Sequence, residues 1–289
     1  MARLLGRSIA ANDRWAKPFG DVNHRWLKAL FRPIRPVKDL LNGTWLGHPL
    51  HPAITDVPIG AFVVAIVLDL AGQRDGALLA VIVGNVAFVA SAVTGLADYT
   101  DTDGRARTRA TIHGTLMVVG GAIVAASLVV RATDGDPTIA SVLLILGTLV
   151  VVAGAYVGGD VVFVLGNMVS RHAFRGPGTK WIRLDTGAVP DLLAIPEATP
   201  MKMRAGINDL VLVRMGSRIH AMHAVCAHAG GPLDQGTITA DGCLECPWHG
   251  TRFRMADGSV RRGPSVHDQP AYEIRAADGG GYEVRRVEV

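Results

Sequence analysis

At 289 residues the chain is long enough for about two domains of ordinary size. Only 19% of its residues are charged against 49% hydrophobic, and its mean hydropathy is +0.29, so composition excludes a wholly soluble protein and a disordered one. The formal net charge of +4 comes from basic residues gathered at one end and between apolar runs, which argues against nucleic acid as a partner, and three cysteines exclude a disulfide framework of any size.

Residues 1–47 form a basic segment with nine Lys or Arg. Val22, Trp26 and Leu30 recur at helical spacing, with Arg25, Lys28 and Arg32 elsewhere on the wheel. Trp15, Trp26 and Trp45 suit the headgroup level of a bilayer. The segment reads as an interfacial helix on an anionic inner leaflet, or as an unstructured basic tail. It lacks the apolar stretch ending in small residues that marks a secretory signal, so none is expected.

Residues 76–97, 110–130 and 137–159 contain no Asp, Glu, Lys or Arg. Each meets the ~20 residues that a bilayer core requires. A further span is expected near 53–72, with Asp56 and Asp69 in its end turns near the headgroups. The spans are rich in small residues, among them Gly84, Ser91, Gly95, Gly114, Gly120, Gly121, Gly147 and Gly154. Such residues let helices approach closely, so a compact four-span bundle is predicted.

Lys and Arg set the orientation. Beyond the nine in 1–47, the loop 98–109 carries Arg105, Arg107 and Arg109, and the flank after the last span adds Arg171, Arg175 and Lys180. The other two loops hold one each, Arg74 and Arg131. The expectation is a multi-pass inner-membrane protein with both termini in the cytoplasm.

After about residue 172 the pattern changes. Gly176-Pro177-Gly178 punctuates the chain, and from about 182 the period is two. Residues 210–215 and 218–225 read as strands joined by a Gly216-Ser217 hairpin. Turn groups recur at Gly230-Gly231-Pro232, Asp241-Gly242, Asp257-Gly258 and Gly279 to Gly281. The expected organisation is a basic segment 1–47, a membrane domain 48–172, a linker 173–188 and an all-β domain 189–289 of stacked antiparallel sheets.

The β-domain carries Cys226-Ala227-His228 and, after seventeen intervening residues, Cys246-Pro247-Trp248-His249. Each stretch offers one thiolate and one imidazole. Two thiolates suit one iron of a sulfide-bridged pair and two imidazoles suit the other. Cys2His2 is also a zinc set, although zinc modules usually pair ligands of one type, as in C-x2–4-C with H-x3–5-H.

The stretch from Val189 to Val289 resembles a Rieske iron–sulfur domain. The matching residues are Cys226-Ala-His228-Ala-Gly-Gly-Pro-Leu233 and Cys246-Pro-Trp-His-Gly250 with Phe253. The resemblance implies one [2Fe-2S] cluster, with Cys226 and Cys246 on the inner iron and His228 and His249 on the outer iron. It also implies that both histidines lie near the surface, where partners dock. Rieske proteins of cytochrome bc complexes add a cysteine to each loop and join the two as a disulfide. Those positions are Gly231 and Trp248 here, so that disulfide cannot form. Phe253 stands where high-potential members have a tyrosine hydroxyl, and Thr251 stands at their serine position. The domain is therefore similar to the ferredoxins of ring-hydroxylating dioxygenases, with an expected potential of about −150 mV. Cys243 is expected to be an ordinary strand residue. The 40 residues after His249 hold one histidine, His267, which leaves no set for the second iron of an oxygenase.

The first span is preceded by Gly47-His48-Pro49-Leu50-His51-Pro52. This H-P-L-H-P motif with four short spans resembles an uncharacterised bacterial family of membrane proteins. Pro49 and Pro52 predict a non-helical entry over 48–52. His48, His51, His113, Asp98 and His172 are expected at one membrane face. They read as structural groups, as a quinone or proton-linked site, or as ligands of haem or another metal. Together the readings describe a membrane-anchored iron–sulfur carrier. It would pass single electrons from a cytoplasmic donor such as a flavin reductase to an oxygenase or membrane acceptor. A quinone-linked oxidoreductase and a redox sensor are the alternatives.

Overall fold

The computed structural model describes residues 9–174, 180–187, 189 and 191–287. The Gly176-Pro177-Gly178 punctuation and Arg175 lie outside them. The chain divides into two compact units, one carrying the helices as far as Asn167 and the other carrying the strands from Met168 onward together with 43–48.

The helical unit contains α1 (Asp13–Phe31), α2 (Arg35–Asn42), α3 (Leu50–Ile54), α4 (Asp56–Leu70), α5 (Arg74–Tyr99), α6 (Gly104–Ala132) and α7 (Pro137–Gly159). Four stretches are long and apolar enough to cross a membrane: Leu50–Leu70, Arg74–Tyr99, Gly104–Ala132 and Pro137–Val164. Their large apolar side chains mostly face outward, as with Val67, Leu79, Val86, Leu149 and Val152. Small residues fill the inside. A Cβ at Gly120 would lie 3.0 Å from the Gly147 carbonyl, and one at Gly147 would lie 3.0 Å from the Gly120 carbonyl. The α6 and α7 backbones therefore touch, as small-residue packing requires. Gly84 makes room for Phe62 and Gly121 for Phe88, whereas Gly114 faces open space and takes no part in packing.

Two expectations for this unit need correction. The entry over 48–52 is not wholly non-helical, because Leu50–Ile54 forms α3. Pro52 sits in its first turn, where a backbone N–H has no helical partner to lose. The loop 98–109 is mostly helix, since α6 starts at Gly104 and takes in Arg105, Arg107 and Arg109. Carboxylates offset those cations at a helix N-terminus: Arg107 pairs with Asp21 at 2.9 Å and Asp103 at 3.2 Å, and Arg109 lies 3.5 Å from Asp13. Asp69 lies in the last turn of α4, as expected, and it is paired there. It binds Arg131 at 2.5 Å and accepts a hydrogen bond from the Ser141 hydroxyl at 2.9 Å, which ties α4, α6 and α7 together.

The N-terminal segment is helical. One face of α1 packs on α6 and α5, burying Ala16, Gly20 and His24, and the Tyr99 hydroxyl donates to the Gly20 carbonyl at 2.9 Å. Its other face leaves Trp15, Phe19, Val22, Trp26 and Leu30 exposed. In α2 the polar side is the buried one. Lys38 donates to Asp101 at 2.5 Å and Asn42 to Asp98 at 2.9 Å, while Val37 and Leu40 face out.

The second unit has two antiparallel sheets. β1 (Ile182–Asp185), β10 (Tyr282–Arg286), β9 (Ala271–Ala276), β4 (Arg218–His223), β3 (Asn208–Met215) and β2 (Met201–Ala205) close into a barrel in that order. β5 (Thr237–Ile238), β6 (Cys243–Glu245), β7 (Arg252–Arg254) and β8 (Val260–Arg262) form a smaller sheet. Met215 pairs with Arg218, so Gly216-Ser217 is the two-residue hairpin expected, with Gly216 at φ +65°. The other turn groups also fall between strands or in the connecting loops. Alternate residues of β3 serve two cores: Leu210 and Leu212 face the barrel interior, while Val211 and Val213 join Phe253, Leu244 and the two loop cysteines.

Removing the Asp69 carboxylate strands a buried guanidinium. Asp69→Ala is expected to destabilise the helical unit by about 3 kcal/mol, and Asp69→Leu with Arg131→Met to recover most of that loss. Melting temperatures of the detergent-purified variants check both outcomes.

Candidate metal centre

Two loops project from the strands toward each other, and their backbones make the same turn. In the first, Gly230 N–H donates to Cys226 O at 3.0 Å and Cys226 N–H to Gly231 O at 2.9 Å. In the second, Gly250 N–H donates to Cys246 O at 3.0 Å and Cys246 N–H to Thr251 O at 2.8 Å. Each turn closes on a glycine in the left-handed region, Gly230 at φ +86° and Gly250 at φ +72°. A side chain there would be strained, which is why both motifs need glycine at that place.

The twin turns bring like side chains together. Cys226 and Cys246 are 1% and 2% exposed, and the Cys226 thiol donates to the Cys246 sulfur. The rings of His228 and His249 lie 4.9 Å apart, centre to centre. Backbone N–H groups of His228 and Ala229 point at Cys226 Sγ, and those of Trp248 and His249 point at Cys246 Sγ. The hydrogen bond from Cys226, helped by the last two, holds the Cys246 thiol below its ordinary value. Donation to Cys246 and burial raise the Cys226 thiol. The floor beneath the sulfurs is apolar: Leu233, Leu244, Met255 and Phe253, which brings no hydroxyl.

Gly231 and Trp248 meet across the gap between the loops. A Cβ at Gly231 would lie 2.8 Å from Cys246 Sγ and 3.2 Å from the Trp248 ring. The two positions expected to face each other therefore do, without a cross-link. Thr251 is buried, and its hydroxyl accepts the Ser265 N–H at 3.2 Å. Cys243 is a buried residue of β6 whose thiol lies 3.6 Å from an Asp241 carboxylate oxygen.

The expectation that both histidines are surface groups is not met. His249 is partly exposed and Trp248 beside it is 54% exposed, but His228 is only 5% exposed. Met168 and the 264–267 loop line the space around it. The segment 168–174 reaches the first loop directly. Arg171 N–H donates to Ala227 O at 3.0 Å, and His172 Nε2–H donates to Val225 O at 2.8 Å. The His172 ring packs on His223 at 4.5 Å.

Gln269 is the functional side chain that sequence reasoning missed. It is fully buried, donates from Nε2 to His223 O at 2.6 Å and Val225 O at 2.8 Å, and accepts from Ala227 N–H at 2.8 Å. No motif announces it, because it sits in a loop more than forty residues from the strand end that it braces. The second loop has an ionic brace instead. Glu245 pairs with Arg252 at 2.6 Å and Arg262 at 2.9 Å, and Arg262 also donates to Gly250 O at 2.8 Å.

Of the other histidines singled out, His48 is exposed in the turn before α3. His51 and His113 come together with ring centres 6.2 Å apart. Asp98 ends α5 with Asn42 as its donor.

Two buried thiols beside two imidazoles form a donor set that fits a [2Fe-2S] cluster with mixed ligation. The thiols neighbour each other and the imidazoles neighbour each other, a two-and-two division of the set. Comparison with known proteins agrees. Residues 188–273 match the Rieske [2Fe-2S] domain, and residues 47–171 match a predicted membrane protein family, DUF2231. The ferredoxin subunit of anthranilate 1,2-dioxygenase from Burkholderia cepacia is 32% identical over 83 residues, 29% of this chain and 76% of that one. Ferredoxin CarAc from Metapseudomonas resinovorans is 29% identical over 79 residues, 27% of this chain and 73% of that one. Among solved structures, the ferredoxin of carbazole 1,9a-dioxygenase from Nocardioides aromaticivorans IC177 is 25% identical and covers 38% of this chain and 100% of its own, with a TM-score of 0.31. The chain belongs to the Rieske [2Fe-2S] family. Its β-unit is an electron-transfer module of ferredoxin type, joined to a membrane domain of four apolar helices.

Replacing Gln269 by Ala removes the side-chain partners of the Ala227 N–H and the His223 carbonyl and leaves Val225 O with His172 alone. The variant is expected to lose about 3 kcal/mol of stability and to retain less iron after purification. Thermal melting and iron analysis against wild type measure the two effects.

Proposed function

We propose that Cys226 and Cys246 hold one iron and His228 and His249 the other, and that the chain is a membrane-anchored one-electron carrier. The observation that carries this reading is the pair of turns with matching backbone hydrogen bonds, which sets thiol beside thiol and imidazole beside imidazole. When bound, a [2Fe-2S] cluster accepts and releases a single electron. The protein's part is to seat it and tune it. The N–H groups aimed at both sulfurs disperse thiolate charge, while Phe253 withholds the hydroxyl that would raise the potential further. His249 and Trp248 offer the open edge for a docking partner, since His228 is covered.

The ferredoxin relative that is named as a dioxygenase subunit supports an oxygenase as electron acceptor, and a cytoplasmic reductase such as a flavin reductase is the donor that this reading calls for. A membrane acceptor is the other candidate for the receiving end. The Lys and Arg distribution supports an inner-membrane location with the β-unit and both termini in the cytoplasm. The exposed stripe Trp15, Phe19, Val22, Trp26 and Leu30 supports contact of α1 with the headgroup region.

Anaerobically purified chain is expected to contain two irons and two acid-labile sulfides, and Cys226→Ser is expected to lose both. Potentiometric titration is expected to give about −150 mV, and a value of about +200 mV or above would contradict the low-potential assignment. A colourless preparation holding only zinc would overturn the whole reading. For orientation, a cysteine at Ile207, 89% exposed, should react with an impermeant maleimide only in inverted vesicles. One at Gln73, between the first two spans, should react in intact cells with a permeabilised outer envelope.

A further inference from the structure

The membrane unit carries a second constellation, independent of the iron–sulfur reading. His51 on α3 has Nδ1 2.9 Å from the Ser91 carbonyl of α5, and His113 on α6 has Nδ1 2.8 Å from the Gly154 carbonyl of α7. A carbonyl only accepts, so both Nδ1 atoms carry the proton and donate it. In a neutral imidazole, that leaves Nε2 with a bare lone pair. A backbone carbonyl fixing one nitrogen while the other presents its lone pair is how metal-binding histidines are oriented.

The bundle is shaped around these rings. A Cβ at Gly95 would lie 2.9 Å from His51 Cε1, and a Cβ at Gly158 would lie 2.9 Å from His113 Nδ1. Thus α5 and α7 each leave out a side chain where an imidazole lies. The helices α4 and α5 pack closely on each other, as do α6 and α7, while contact between the two pairs is sparser. His51, on the α3 turn that leads into α4, is restrained by α5, and His113 on α6 is restrained by α7. Their ring centres are 6.2 Å apart and their planes cross at 69°.

That separation has a meaning. Two imidazoles bound to opposite sides of one metal at about 2.0 Å, each nitrogen about 1.1 Å from its ring centre, put the centres about 6.2 Å apart. A bare zinc or copper ion would need further protein donors, and no third His, Cys, Asp or Glu joins the pair among the described residues. Haem iron needs only two axial ligands, since its macrocycle supplies the other four nitrogens. Bundle cores are a recurrent place for such cofactors. We infer that His51 and His113 are the axial ligands of a haem seated between the two helix pairs, giving the membrane unit its own one-electron centre.

The test uses the full chain, produced in haem-replete cells, purified in detergent and titrated with hemin. The expected result is a Soret band, sharp visible bands on reduction with dithionite and a low-spin ferric resonance, at one haem per chain. His51→Ala and His113→Ala should each lose the low-spin signature, and added imidazole should restore it. His48→Ala and Cys226→Ser should keep it. Wild-type chain that melts cooperatively yet gives no Soret band on titration overturns the inference, as does retention of the low-spin signal in both histidine variants. A quinone analogue that protects these histidines from modification, in protein that takes up no haem, also overturns it. Acid-labile sulfide measured on the same samples reports the iron–sulfur cluster separately, so failure of one site is not mistaken for failure of the other.

Discussion

One backbone turn used twice governs the β-unit. The 3.0 Å bond from each closing glycine N–H back to its cysteine carbonyl curls the loop so that the intervening amides converge on sulfur. With both sulfurs buried, those amides are the means by which a thiolate is made tolerable away from water. Everything else at this end of the molecule keeps the two turns in register: Gln269 beneath the first, the Glu245–Arg262 pair beside the second, and the shared apolar floor.

The braces are unequal in kind. The first turn is held by neutral hydrogen bonds from a buried amide, and the second by an ion pair that is about a quarter exposed. Solvent screens the second brace and not the first, so salt should loosen one turn more than the other. The burial of His228 adds to this asymmetry, because the more exposed imidazole belongs to the turn with the screened brace.

Much of this was legible in the sequence, and the limits have physical causes. The four ligand candidates, the hairpin at Gly216-Ser217 and the apolar spans announce themselves through local spacing and period. The closure of the larger sheet into a barrel depends on β1 meeting both β2 and β10, a pairing between distant segments that no local pattern encodes. Gln269 was invisible for the same reason. The burial of His228 has no local signal, because its cover comes from Met168, in the stretch that reads as the tail of the last span, and from the distant 264–267 loop. Arg107 and Arg109 read as loop residues because charge counts against a span, yet Asp13, Asp21 and Asp103 neutralise them. The buried polar face of α2 inverts the usual amphipathic rule, and only the position of Asp98 and Asp101 explains it.

The contact between Gly231 and the Trp248 ring bears on how the centre is assembled. With a hydrogen where other designs have a sulfur bridge, nothing covalent spans the two turns. The two turns stand on separate strands, so a cluster held by both would be the one link that joins the first turn to the second.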